Sequence, residues 1–197
     1  MTETTDRPDP RAGLSGAIDV AGQSIAAVRP DQYDGTTPCP EYSVRELCNH
    51  MVSVLRRVAV LGEGGDFFSV PHFAEDVPDG EWKTAWDTAA RETDAVWSDP
   101  AVLGRQIGLP WGPVPGAAAA LIYTNEFVLH TWDLATATGQ DVAWDPRVLA
   151  GPLANMRRAV PAQPRGGQVP FGPVVEVSED APDIDRLVGW YGRDPRR

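Results

Sequence analysis

The chain is short of cysteine, of basic charge and of long apolar runs, and each shortage removes a class of function. Its two cysteines, Cys39 and Cys48, form no recognisable disulfide framework. They are expected to be reduced, mostly buried thiols in a cytoplasmic protein. Seventeen Lys and Arg stand against 28 Asp and Glu, giving a net charge of -11 and a pI near 4.6. A chain that acidic is repelled by a phosphate backbone, and no basic stripe with interleaved aromatics offsets the repulsion, which argues against nucleic acid. The same sign argues against anionic membrane surfaces. The longest greasy run, Ala117 to Tyr123, is too short to span a bilayer, and Asn125 and Glu126 close it. Met1 to Pro10 lacks a basic stretch followed by an apolar one, so no signal peptide is expected.

What is present suits a soluble globular protein: 197 residues, 42% hydrophobic and 23% charged, enough for one domain with a core plus a small appendage. Residues 1–12 are polar and proline-containing and are expected to form a disordered tail. Leu14, Ile18, Ala21, Ile25 and Val28 recur at helical spacing, and Pro30 stops that helix. Ser43-Val44-Arg45-Glu46 is a capping box opening a second helix through Leu47, Met51, Val54 and Val58. The glycines at 62, 64 and 65 end it. A third helix is expected from near Asp79 to Trp97, and a short extended piece from Gln106 to Leu109. A fourth runs from about Gly116 to Thr138, with Gly139 as its C-cap. Asp145 and Pro146 suit the start of a fifth, which Pro152 is expected to break or kink. Pro161 to Val177 reads as loop or short strand, and Asp183 to Tyr191 as a last short helix.

Histidine is also scarce: His50, His72 and His130 are the whole set. His130 follows Glu126 by four residues, which puts both on one helical face a turn apart. His50 sits among the core positions Leu47, Met51 and Val54, so it too is directed inward. Such a set is open to two readings. The histidines are ordinary hydrogen-bonded core residues and Glu126 pairs with His130 on a wet face, or all three side chains grip one divalent cation between facing helices, as bundles often do. Glu126 lies within an apolar stretch, and a buried carboxylate is costly without a cation.

The residues also carry a resemblance. Thr37-Pro38-Cys39, followed by Tyr42, Val44, Leu47 and His50, and the run Glu126 to His130 with Trp132-Asp133-Leu134-Ala135, resemble two motifs of the DinB-like metalloprotein superfamily. Within it, the likeness is to the mycothiol-dependent maleylpyruvate isomerase type. It spans roughly Ile25 to Gly139. The tail from Phe171-Gly172-Pro173 to Gly192-Arg193-Asp194-Pro195 resembles the ending of a shorter subfamily described as metal-binding proteins. The resemblance implies an all-α core, an up-down-up-down four-helix bundle over residues 13–142, with a short α+β or irregular extension, 143–197, packed on it. It implies a metal, usually zinc with Ni²⁺ or Fe²⁺ as alternatives, held by His50, Glu126 and His130. It further implies mycothiol or a related thiol as co-substrate. The full isomerases carry a larger C-terminal domain, so maleylpyruvate itself does not follow as the substrate.

Two imidazoles and one carboxylate leave an open coordination position, the mark of a catalytic zinc site. A thiolate bound there is a nucleophile. The expected activity is therefore thiol transfer or isomerisation of a small electrophile. A binding protein without turnover and a non-haem Fe(II) enzyme, which uses the same donor triad, are the alternatives. Around the metal, Asp133 is a candidate to orient a histidine, and Arg57 or Arg56 to hold a substrate carboxylate. Tyr123 is a candidate to line the pocket and Trp111 to cap its mouth. Each of these also has a plain structural use, as core or surface. His72 is expected to be exposed and away from the metal, and Cys39 serves equally as a small packed residue. The partners expected are small molecules, with the chain a monomer or homodimer.

Overall fold

The computed structural model describes residues 9–167, 169 and 171–196. Its main body is four helices: α1 (Pro10–Ala26), α2 (Val44–Gly62), α3 (Trp82–Trp97) and α4 (Gly116–Thr138). A two-stranded antiparallel hairpin, β1 (Gln106–Leu109) and β2 (Gly112–Pro115), leads into α4, and α5 (Pro146–Ala159) and α6 (Asp183–Trp190) follow it. No described helix is long and apolar enough to cross a membrane.

Local chemistry sets most of these boundaries. Asp9 caps α1 by accepting from the Arg11 N–H, with Pro10 in the first turn, so the helix starts before its apolar stripe begins at Leu14. Eight residues of the expected 1–12 tail, 1–8, lie outside the described residues, and the rest are capped helix. Ser43 and Glu46 form the capping box at the head of α2. Gly139, at φ 68°, ends α4 in the left-handed conformation that glycine adopts without steric cost. The start of α4 is fixed by close approach: a Cβ on Gly116 would lie 2.0 Å from the Val102 carbonyl oxygen. Helix α5 continues through Pro152, so of the expected break or kink the break does not occur. Val148, Leu149, Pro152 and Met156 bury one face there, and that packing outweighs the one N–H that proline withholds.

The bundle is the expected DinB-like one, but its directions do not alternate. Trp82 Nε1 donates to Asn49 Oδ1, Thr93 to the Leu55 carbonyl and Trp97 Nε1 to the Val58 carbonyl, so α2 and α3 run parallel. Arg11 bonds the Ser98 carbonyl and Trp86 the Ile18 carbonyl, so α1 and α3 are antiparallel. Gly13 approaches Thr124, and Gln140, just past α4, bonds the Ser24 carbonyl, so α1 and α4 are parallel. The order is up-down-down-up. Its cause is the connection 63–81, which turns back and lies along α2, returning the chain to the head of that helix before α3 begins.

Leu47, Met51, Leu55, Trp82, Trp86, Phe127 and Leu134 are among the residues that fill the core. Burying each large apolar side chain contributes about 1.5–3 kcal/mol. The extension is two helices joined by an irregular segment. Helix α5 packs on α1 and α4, and α6 packs on α5.

Candidate metal centre

Helix α2 and helix α4 run antiparallel and face each other across the site. His50 lies in the second turn of α2, between Leu47 and Met51 on its buried face. Glu126 and His130 are one turn apart on α4. His50 Nε2 and His130 Nε2 each lie 3.4 Å from Glu126 Oε1. The two imidazole rings are 5.2 Å apart and nearly perpendicular. One ligand-capable atom from each of the three residues falls within 4.8 Å of the others.

The outer ring nitrogens are both engaged. His50 Nδ1 lies 3.2 Å from the His72 carbonyl oxygen, and His130 Nδ1 lies 3.2 Å from Asp133 Oδ2. A carbonyl or ionised carboxylate only accepts, so each imidazole donates from Nδ1, and when the ring is neutral its Nε2 lone pair is directed inward. Asp133 is fully buried and is held in turn by Arg193, from Nε at 3.0 Å and Nη2 at 2.7 Å. Nitrogen, nitrogen and carboxylate oxygen, converging with their second contacts satisfied, suit a divalent cation such as zinc.

The electrostatics agree with a cation-ready cradle. Burial pushes the Glu126 carboxyl up, but the charge of His130 and hydrogen bonds from both histidines hold it well below the usual range. Its side chain remains 34% exposed, so solvent reaches the centre from that side. For His130, burial pulls the value down, yet Glu126 and Asp133 together lift it to about 9. For Asp133, burial raises the value and the bonds from His130 and Arg193 more than reverse it.

Other candidates fall in different places. Tyr123 is buried one turn before Glu126, its hydroxyl held protonated by burial. Arg57 is buried, its Nη2 donating to the Val70 and Pro71 carbonyls and its guanidinium 4.5 Å over the Phe67 ring. Arg56 is not at the centre: it pairs with Asp76 in a groove between α2 and α3. Trp111 is 70% exposed at the hairpin turn between β1 and β2. Cys39 is buried with a thiol raised to about 11, chiefly by burial, and lies near His130 and Asp133 on their outer side. Both cysteines are free thiols.

Three residues not expected at the centre, among them His72, which was expected away from it, are at its mouth or its rear. His72 is exposed as expected, yet its ring centroid is 4.6 Å from that of His50. The Tyr42 hydroxyl meets His72 Nε2 at 2.7 Å, and its ring is 5.1 Å from His50. Tyr42 was visible as part of the first motif; His72 and Arg193 had no spacing signal, because loops bring them in.

Known proteins resemble this chain in sequence and in fold. Two uncharacterized proteins of Mycobacterium tuberculosis, from strains CDC 1551 and H37Rv, are each 32% identical over 188 residues, covering 95% of this chain and all of theirs. The crystal structure of the mycothiol-dependent maleylpyruvate isomerase superposes with a TM-score of 0.62 at 12% identity, covering 79% of this chain and 72% of that one. A histidine-to-alanine mutant of that enzyme gives 0.61 at 11% identity, with the same coverage. Residues 16–135 match the mycothiol maleylpyruvate isomerase N-terminal domain, and the chain belongs to that family.

Proposed function

We propose that this protein is a divalent-metal enzyme, zinc being the best-suited ion, that transfers a low-molecular-weight thiol to a small electrophile or uses it to isomerise one. The observation that carries the reading is the convergence of His50 Nε2, His130 Nε2 and Glu126 Oε1, with both outer nitrogens already committed. Membership of a family named for a mycothiol-dependent isomerase supports a thiol such as mycothiol as the co-substrate. A cation bound there supplies Lewis-acid stabilisation of the thiolate, the nucleophilic form of the sulfur.

The chain's own residues do the remaining work. Asp133 and Arg193 hold His130 in place from behind. Glu126 faces solvent on one side, which leaves an approach for small molecules. At that approach Tyr42 and His72 offer a hydroxyl and an imidazole for polar contact with an incoming ligand. Burial and the nearby Cys39 push the Tyr42 hydroxyl up to about 12, so it stays a donor at neutral pH. Tyr123 forms a protonated inner wall. The described part of the extension acts as a brace for the bundle, since Arg193 reaches the metal helix from there.

The reaction class is reversible thiol addition to an activated double bond, with rotation and departure, or displacement by the thiol at a small electrophilic carbon. Titrating mycothiol into the cobalt-substituted protein tests the reading. A new sulfur-to-cobalt charge-transfer band, saturating with added thiol, is the expected result. A spectrum unmoved by mycothiol and by simpler thiols overturns the thiol part of the proposal.

A further inference from the structure

The segment Val70 to Ala74 lies along α2 in the opposite direction and walls one side of the metal centre. Its attachments are in register. The Ala74 N–H donates to the Asn49 carbonyl at 3.2 Å, and His50 Nδ1 donates to the His72 carbonyl at 3.2 Å. Ser53 donates its hydroxyl to the Pro71 carbonyl. Arg57 Nη2 donates to Pro71 and Val70 at 2.8 and 3.2 Å. His50, Ser53 and Arg57 are three and four residues apart, so they share one face of the helix. Three side chains on one stripe therefore hold three consecutive carbonyls.

The consequence falls on His50. A neutral imidazole carries its proton on one nitrogen only, and the nitrogen facing a carbonyl must be the one that carries it. In that neutral form the His72 carbonyl thus leaves the Nε2 lone pair free for a cation on the Glu126 side. That carbonyl is in place only if the preceding residue is held, and the groups holding it are Ser53, 0% exposed, and Arg57, 5% exposed. A buried guanidinium is costly to desolvate. Here its Nη2 donates to two backbone carbonyls, and its Nε has no hydrogen-bond partner among the described residues.

We propose that Ser53 and Arg57 are positioning residues for the metal centre, fixing the 70–74 strap so that the His72 carbonyl locks the His50 ring with Nε2 toward the cation. The inference rests on the metal reading above. It gives Arg57 a use other than the expected capture of a substrate carboxylate, because its Nη2 is already spent on the strap.

The test uses zinc alone as the probe and needs no turnover. Zinc affinity is measured by competition with a chromophoric chelator for the wild-type chain, Ser53→Ala, Arg57→Met and Arg57→Lys, with circular dichroism to confirm the fold. Loss of an outer contact of this kind costs roughly 10- to 100-fold in metal affinity, and that loss is expected for Ser53→Ala and Arg57→Met. Arg57→Lys, which keeps a donor, is expected to recover part of it. Nitrogen-15 spectra of the histidines in the zinc-free wild type at alkaline pH are expected to show the His50 proton on Nδ1, a readout that survives even if a variant fails to fold. Wild-type zinc binding with both variants within twofold of it, or a His50 proton on Nε2, overturns the inference and leaves the metal centre standing. A wild type that does not bind zinc overturns the metal reading instead.

Discussion

Arg193 holds Asp133 across sixty positions of sequence, donating from Nε and Nη2 to the two carboxylate oxygens at 3.0 and 2.7 Å. The pair ties the end of the chain to the helix that carries Glu126 and His130. Asp133 is completely buried and the Arg193 side chain is 11% exposed. Removing Arg193 leaves the buried carboxylate with His130 alone as its side-chain partner among the described residues, and breaking such a pair costs about 3–5 kcal/mol.

Arg193→Met is therefore expected to lower the unfolding free energy by roughly 3 kcal/mol in urea titrations. Adding Asp133→Asn to it is expected to restore part of that loss, because the stranded carboxylate is gone. A single-variant loss under about 1 kcal/mol would assign the tail a passive role.

Metal binding is expected to depend on pH in one direction. His130 in the metal-free protein is raised from an ordinary 6.5 to about 9, burial opposing and Glu126 and Asp133 prevailing. A ligand imidazole must be deprotonated, so a proton is released on binding. Apparent zinc affinity should rise by up to about tenfold per pH unit from pH 6.5 and level off near 9. The stability of the metal-free chain should move the opposite way. A raised folded value contributes stability that is complete below the unfolded pKa and is lost as pH climbs through the folded one. Chelator competition and urea midpoints over that window check both slopes, and a flat affinity profile contradicts the assignment of His130.

Much of the bundle is legible in the sequence because it is local. Gly116 to Thr138 with Gly139 behind it, the Ser43–Glu46 capping box and Asp145-Pro146 are short-range signals, and the helices begin and end there. The Glu126–His130 spacing and the inward place of His50 follow from helical periodicity alone. The parts that were not legible are set at long range. Parallel α2 and α3 depend on the strap along α2, which carries no periodic pattern. Helix α5 passes Pro152 because of tertiary packing, which propensity does not contain. Arg193 reaches Asp133 through an irregular segment, and His72 is brought over His50 by backbone contacts rather than by spacing.

The central claim is that three side chains share one cation, and elemental analysis of purified protein tests it most directly. The wild-type chain is expected to carry about one divalent ion, as a three-ligand site with an open position implies. His50→Ala, Glu126→Ala and His130→Ala should each lose most of it, while His72→Ala, which keeps the backbone carbonyl, should retain it. Full metal content in any one of the first three variants would contradict the account.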